Sequence, residues 1–465
     1  MTALLLLSVT LSAPPAAPPT AVAVRPAAAP KPALKYQLLP EVRELKPGNA
    51  AQWYLRCFME QRQFFFSKEG VAQRTRYQSM TLKELREEGL QNYGGSALTQ
   101  ADWGARLETV DWQVLDRVQT EGPDLRLPEL EPLHRLAVSL QIRLRGEIAR
   151  GDFDDAVRTT KTMTALARHL GEYPTAAAAR LGLKVANLAL DALWELVQQP
   201  NAPNLYWALT DLPAPLVDLR RGLQGDRALA DSELKLFRDD RAMTGAETDE
   251  IVGRLSGRAG YIRQRAGLPP HDLRTALTAR AQDAGTVRAA RARLIEAGAG
   301  QFAVGTFSDV QVVLLDDKRE YEIARDDRLK QLGLKAWEID ARATDARCNG
   351  LFADLLPRVT ELRHEQARFE QRVALLRHVE ALRLFAATGS GALPVSLTEV
   401  GVPVPDDPFT GKPFAYTLSG GVAQLRGAAP KGEEKNPHFA AAFDVTLGSP
   451  EGARPPATTR DGVKK

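Results

Sequence analysis

Cysteine is nearly missing from this chain: there are two in 465 residues, Cys57 and Cys348, far apart and with no CxxC pair. That spacing supports neither dithiol redox chemistry nor a structural zinc site. Both fall in predicted helices. Two buried thiols acting as small hydrophobes is therefore the favoured reading, and a single bridge in an oxidising compartment is the alternative. Histidine is also scarce, with six in all. No HExxH occurs, and the nearest approach, His364-Glu365, has Arg368 where a second ligand would stand. His364 and His378 share a predicted helix face, but at about 1.5 Å rise per residue they lie roughly 21 Å apart, too far for one metal. His134, His169, His271 and His438 stand isolated and read as surface or capping residues. There is no Walker loop and no GxSxG elbow. The sequence therefore assigns no catalytic, cofactor-binding or metal-binding residue.

An excess of one charge is lacking too. Sixty-one Lys and Arg face fifty-eight Asp and Glu, dispersed along the chain, so no field invites nucleic acid or anionic lipid. Beyond the N-terminus no apolar run is long enough for a transmembrane helix in the mature chain.

What is present begins with MTALLLLSVTLSAPPAAPPTAVAV. An apolar run from Ala3 to about Leu11, followed by small residues and prolines, has the order of a secretory signal, although its start carries no Lys or Arg. Ala21-Val22-Ala23 supplies small residues at the right offsets, so residues 1–23 are predicted as a signal peptide cut after Ala23. The product would be periplasmic or extracellular, and envelope proteins are its candidate partners. The alternative is a disordered Ala/Pro arm on a cytosolic protein. Residues 24–48 read as an Ala/Pro-rich linker.

From Asn49 a helical period takes over. Leu133, Leu136, Leu140, Leu144 and Ile148 recur at three and four; RGDFDDA then supplies a stop at Gly151 and a cap at Asp152. Phe153, Ala156, Val157, Thr160, Met163 and Ala167 form a second stripe ending at Gly171. Leu181, Val185, Leu188, Ala192 and Leu196 form a third. Helices joined by such short turns lie antiparallel, so residues 49–240 are predicted as a repeat-like helical unit, bundle or solenoid. Residues 241–388 read as a second helical region with one long helix. In it DDKREYEIARDDRLK is predicted to be a solvated face laced by i,i+4 pairs. The fold class is mainly α with a small C-terminal β-hairpin.

PNAPNLYWALTDLP sets Leu205, Tyr206 and Trp207 among three prolines at 200–213. Asn204 is a good helix cap, residues 205–210 allow a turn and a half, and Pro213 and Pro215 forbid continuation before a helix from Leu216. A structural corner that buries both rings is favoured over a binding platform.

These residues also carry a resemblance. PNAPNLYWALTDLPAPLVDLR, then ARARLIEAGAGQF with SDVQVVLLDDKREYEIARDDRLKQLGLKAWE, and then RHVEALRLFAATGSGALPVSLTEVGVPVPDDPFTGKPFAY are similar to landmarks of an uncharacterised planctomycetal family of exported helical proteins. The resemblance implies export and a helical architecture; it supplies no activity. Residues 389–428 further resemble the globular part of type II secretion pseudopilins. Asp407-Pro408 and Thr410-Gly411 form turns, Phe414, Tyr416 and Leu418 alternate as a strand, and Val422 to Leu425 returns. Phe409, Phe414 and Tyr416 are expected to cover the stripe Leu375, Val379, Leu382 and Phe385. Residues 429–465 read as a flexible tail. The leading functional reading is an exported, non-catalytic scaffold or protein-interaction protein. The alternatives are an accessory of an envelope or secretion assembly, and an enzyme whose site is assembled from distant residues.

Overall fold

The computed structural model describes residues 19–265, 269, 272–342, 352–389 and 391–448. Short helices come first: α1 (Ala50–Glu60), α2 (Arg62–Phe66), α3 (Lys68–Ser79), α4 (Leu82–Glu88), α5 (Gly95–Gly104) and α6 (Leu115–Thr120). Their starts are written locally. The Asn49, Ser67 and Thr81 side chains each accept a backbone N–H of the first turn, and Thr81 with Glu84 forms a reciprocal capping box.

The long helices α7 (Leu130–Arg150), α8 (Phe153–Gly171) and α9 (Ala176–Leu196) pack on one another as the spacing predicts. Leu133, Leu136, Leu140, Leu144 and Ile148 are all fully or almost fully buried. Gly151 ends α7 in the left-handed region (φ 81°). Asp152 does not cap α8 with its side chain; its carboxylate pairs with Arg150 instead. After α10 (Tyr206–Thr210), helix α11 (Arg220–Leu234) starts four residues later than predicted, because Leu216 and Val217 are buried in the connecting loop. Helix α11 then crosses the α8–α9 turn so closely that a Cβ on Gly225 would sit 1.9 Å from Pro174 O.

Helices α12 (Gly245–Arg265), α13 (Leu273–Gln282), α14 (Ala284–Glu296), α15 (Gln301–Thr306) and α16 (Asp309–Leu329) build a second core around Phe237, Leu255, Leu294, Val313, Tyr321 and Phe352. Here the solvated-face expectation fails. Asp317 is fully buried, Asp316 and Arg325 nearly so, and their partners stand on other helices: Arg280 for Asp317, Arg293 for Asp316, and Asp231 for Arg325. A buried charge must be paired, and these pairs tie α16 to its neighbours. Helix α17 (Ala336–Arg342) follows; α18 (Val359–Thr388) then returns to the first core with Leu375, Val379 and Leu382.

The C-terminal hairpin is present as β4 (Ala415–Ser419) and β5 (Val422–Arg426), paired antiparallel, but it belongs to a larger sheet. Strand β6 (Ala442–Leu447) lies in the supposed flexible tail, antiparallel to β5, with Val445 fully buried. Strand β1 (Thr20–Val24) comes from the supposed signal region and runs parallel to β6, giving the order β1-β6-β5-β4. Val22 and Val24 are buried, so a cut after Ala23 would take away four of the five residues of this strand. The supposed linker is likewise held down: Leu38 is buried and its carbonyl accepts from the Thr164 hydroxyl. This segment also contributes β2 (Lys46–Asn49), paired in parallel with β3 (Leu107–Thr109). Among the described residues no helix is long and apolar enough to cross a membrane.

Candidate functional site

The corner at 200–213 converges on two charged side chains of α18. Glu380 and Arg383 are essentially unexposed, one helical turn apart, and paired at 2.8 Å. Arg383 also donates to the carbonyls of Ala202 (2.7 Å), Pro203 (3.2 Å) and Arg25 (3.0 Å). Glu380 accepts the Leu205 N–H at 3.1 Å, and its own carbonyl takes the Asn204 amide at 2.9 Å. Burial pushes the Glu380 carboxyl above its ordinary range, against the pull of Arg383 and the Leu205 N–H. The Asn204 side-chain oxygen accepts from Tyr206 N–H at 3.0 Å, but the cap position of α10 is Leu205, one residue later than the sequence suggests. Tyr206 is fully buried, donates its hydroxyl to Pro403 O, and meets Trp207 edge-on at 5.0 Å. Trp207 itself is half-buried, so only one of the two rings lies inside. All these polar contacts are spent inside the molecule.

The C-terminal residues are spent in the same way. Asp407 is buried, and its carboxylate accepts from Ala428 N–H (2.6 Å), Phe409 N–H (3.0 Å) and the Gln371 amide (2.9 Å). Desolvation still raises its carboxyl pKa. Pro408 is half-buried, and Gly411 turns the chain at φ 64° against Trp337. Phe414 packs on the His378 ring at 4.9 Å, and Tyr416 donates to Pro394 O. Phe409 differs from expectation: it packs beside His364 and Phe439, in a small cluster of its own.

His134, His169 and His438 are half-buried, the last two in the final turns of their helices, while His364 and His378 are buried. His169 Nδ1 lies 2.9 Å from the Tyr54 hydroxyl, and desolvation pulls its pKa down to about 4. His378 donates to Ala374 O at 2.8 Å, and burial likewise lowers it to about 4. His438 stands 2.9 Å from Glu365. His271 and Cys348 lie outside the described residues. Cys57 is a buried free thiol pushed up to about 12 by desolvation.

An open concavity lies elsewhere, where the segment 35–46 crosses α5 and α8. It is a groove of about 620 Å³. The crossing segment contributes Lys35, Tyr36, Gln37, Glu44 and Lys46; α5 and the residues after it contribute Thr99, Asp102, Trp103 and Arg106; α8 contributes Asp154, Val157, Arg158 and Lys161. Trp103 is 51% exposed and is braced edge-on by Trp53 at 5.2 Å. Below the groove Asp102 holds Arg143 in a two-pronged pair (2.7 and 2.9 Å) and accepts from the Thr162 hydroxyl at 2.6 Å. Arg143 reaches on to Thr159, whose hydroxyl donates to Glu147 at 3.1 Å. Glu147 Oε2 is buried without a hydrogen-bond partner, and desolvation lifts this carboxyl to about 7.

Sequence reasoning missed this groove because its lining comes from three separated segments. One local signal was available: the buried apolar side chains of α5 are Ala97, Leu98 and Ala101, a stripe that does not include Trp103. No family model, no curated protein and no solved structure matches this chain. Among the described residues no cluster of His, Cys, Asp or Glu has the arrangement of a metal site.

Proposed function

We propose that this chain is an exported, non-catalytic helical scaffold. The observation that carries the reading is the use of its charged side chains as internal ties. Arg383–Glu380, Arg145–Glu195 and Arg280–Asp317 each join separate stretches of chain or seal a junction between them, with at least one partner almost wholly buried. Groups so engaged hold segments together and are poorly placed to meet a substrate. Export rests on the apolar run Ala3–Leu11 and on the resemblance to exported helical proteins. The buried strand β1 favours a cut ahead of Thr20 over the Ala21-Val22-Ala23 site.

Fractionation of the native host with mass measurement of the protein tests this. The expected species is extracytoplasmic and begins ahead of Thr20. A cytosolic species with an intact Met1 overturns export, and an exported species beginning at Val24 overturns the role given to β1. Recovery of defined envelope partners by crosslinking the exported species supports the scaffold role, and turnover of a small molecule by the purified chain overturns it.

A further inference from the structure

The groove beside Trp103 lies apart from the Arg383, Arg145 and Arg280 pairs, and its lining, mostly charged and polar, is unlike the centre of a protein–protein contact. Such centres concentrate apolar and aromatic side chains and are depleted in Lys, Glu and Asp. Here Trp103, Tyr36 and Val157 are outnumbered by charged and hydrogen-bonding groups, among them Thr99, Lys46 and Arg106. A ligand that lays a flat apolar face on an indole while meeting donors and acceptors around its rim is a sugar ring. Stacking on an aromatic face supplies contact area, and the polar rim fixes orientation.

The charges narrow the class. Glu44 is taken up by Lys161 at 2.6 Å, and Asp102 by Arg143 below the floor. Among the described residues neither Lys46 nor Arg106 forms a salt bridge; Arg106 donates to Asp102 O at 2.8 Å, and, against desolvation by burial, its charge joins Lys161 in holding the Glu44 carboxyl below its ordinary range. The two cations are neighbours, since Lys46 N–H donates to Arg106 O at 2.9 Å where β2 meets β3. Lys46 without a salt bridge and Arg106 engaged with a carboxylate only at a distance, both beside an exposed indole, select an anion carried by the ring. The mount is stiff, because Asp102 and Trp103 are consecutive residues of α5 and Asp102 is fixed by Arg143 and Thr162. The groove volume suits a ligand of a few rings, and its open shape lets a chain pass through.

We propose that this groove binds a uronate-bearing oligosaccharide, with one sugar ring stacked on Trp103 and its carboxylate held by Lys46 and Arg106. The proposal goes beyond the scaffold reading and does not depend on it.

Isothermal titration of the full chain with trigalacturonate and with a hyaluronan tetrasaccharide tests it. Maltotriose serves as the neutral control and deca-glutamate as the acidic peptide. Saturable binding of at least one uronate with quenching of indole fluorescence is expected. Trp103→Ala and Lys46→Gln should each weaken it by about ten-fold or more with an unchanged melting temperature. Should Trp103→Ala lower the melting temperature, Trp103→Phe together with Lys46→Gln carries the test. Silence with both uronates, equal affinity for maltotriose, or affinity unchanged in the variants overturns the proposal. Tighter binding of deca-glutamate also overturns it and makes the groove a peptide site.

Discussion

Removing Arg383 strands a carboxylate. Glu380 has no water to turn to, and three carbonyls from two other stretches of chain lose their donor together. Arg383→Ala is expected to cost about 3 to 5 kcal/mol, the range for breaking a buried pair from one side, read from the urea midpoint. At the neighbouring corner the burial difference ranks two aromatics: Tyr206→Ala should lose about 3 to 5 kcal/mol, and Trp207→Ala, half-exposed, less than about 2. Equal losses would show that the edge-on ring contact, rather than burial, carries the corner. Glu147 gives a pH signature. Its folded pKa, about 7, lies above the ordinary value of 4.5, so the folded protein keeps a proton that the unfolded chain sheds. Stability from this group is full below about 4.5 and is lost as pH rises through about 7. Glu147→Gln keeps the contact to Thr159 without the charge. It should therefore be more stable than the parent by about 3 kcal/mol at pH 8 and no more stable at pH 4, in paired thermal melts. His169 and His378 act oppositely. Lowered to about 4, they add stability at neutral pH that disappears as pH falls from about 6.5 to 4.

At the scale of elements, what could be read in the sequence was what is encoded locally. Helices α7 to α9 follow from stripes at three and four and from short turns, because a helix bonds to itself and its pattern needs no distant partner. The same locality misled at DDKREYEIARDDRLK, where i,i+4 partners are always at hand. Burial of Asp316 and Asp317 depends on Arg293 and Arg280 arriving from other helices. Strands suffer most: AFDVTL in a polar tail and TAVAV in a leader-like region give no sign of each other, although they share a ladder. The groove was illegible for a related reason, since only Trp103 carried a local cue. The turn at Gly411 was legible, but its tight fit was not. A Cβ there would meet Trp337 Nε1 at 2.7 Å with the backbone at φ 64°. Gly411→Ala should therefore cost about 1 to 3 kcal/mol in a thermal melt. Adding Trp337→Ala should return only the steric part, leaving the left-handed backbone cost.

Across the whole molecule, the two ends of the described chain are fastened to each other. Strand β1 is an edge strand whose ladder partner is β6, and the segment after it is tied to α18 through Arg383. Deleting residues 1–24 should expose β6 as an unpaired edge, lower the melting temperature and open the 442–447 stretch to protease, while α7 to α9 stay protected. A deletion without effect on either readout would mean that β1 is an ornament of the sheet. The ladder also fixes an order of events in biosynthesis. Thr20 is made before Phe443, with more than four hundred residues between them, so β1 must wait unpaired while all of those residues are synthesised. Until then it is a short, mostly small and branched apolar strand without a partner, open to wrong pairings. A chain truncated anywhere before β6 would therefore carry a loose N-terminal strand, and that strand would mark it as unfinished.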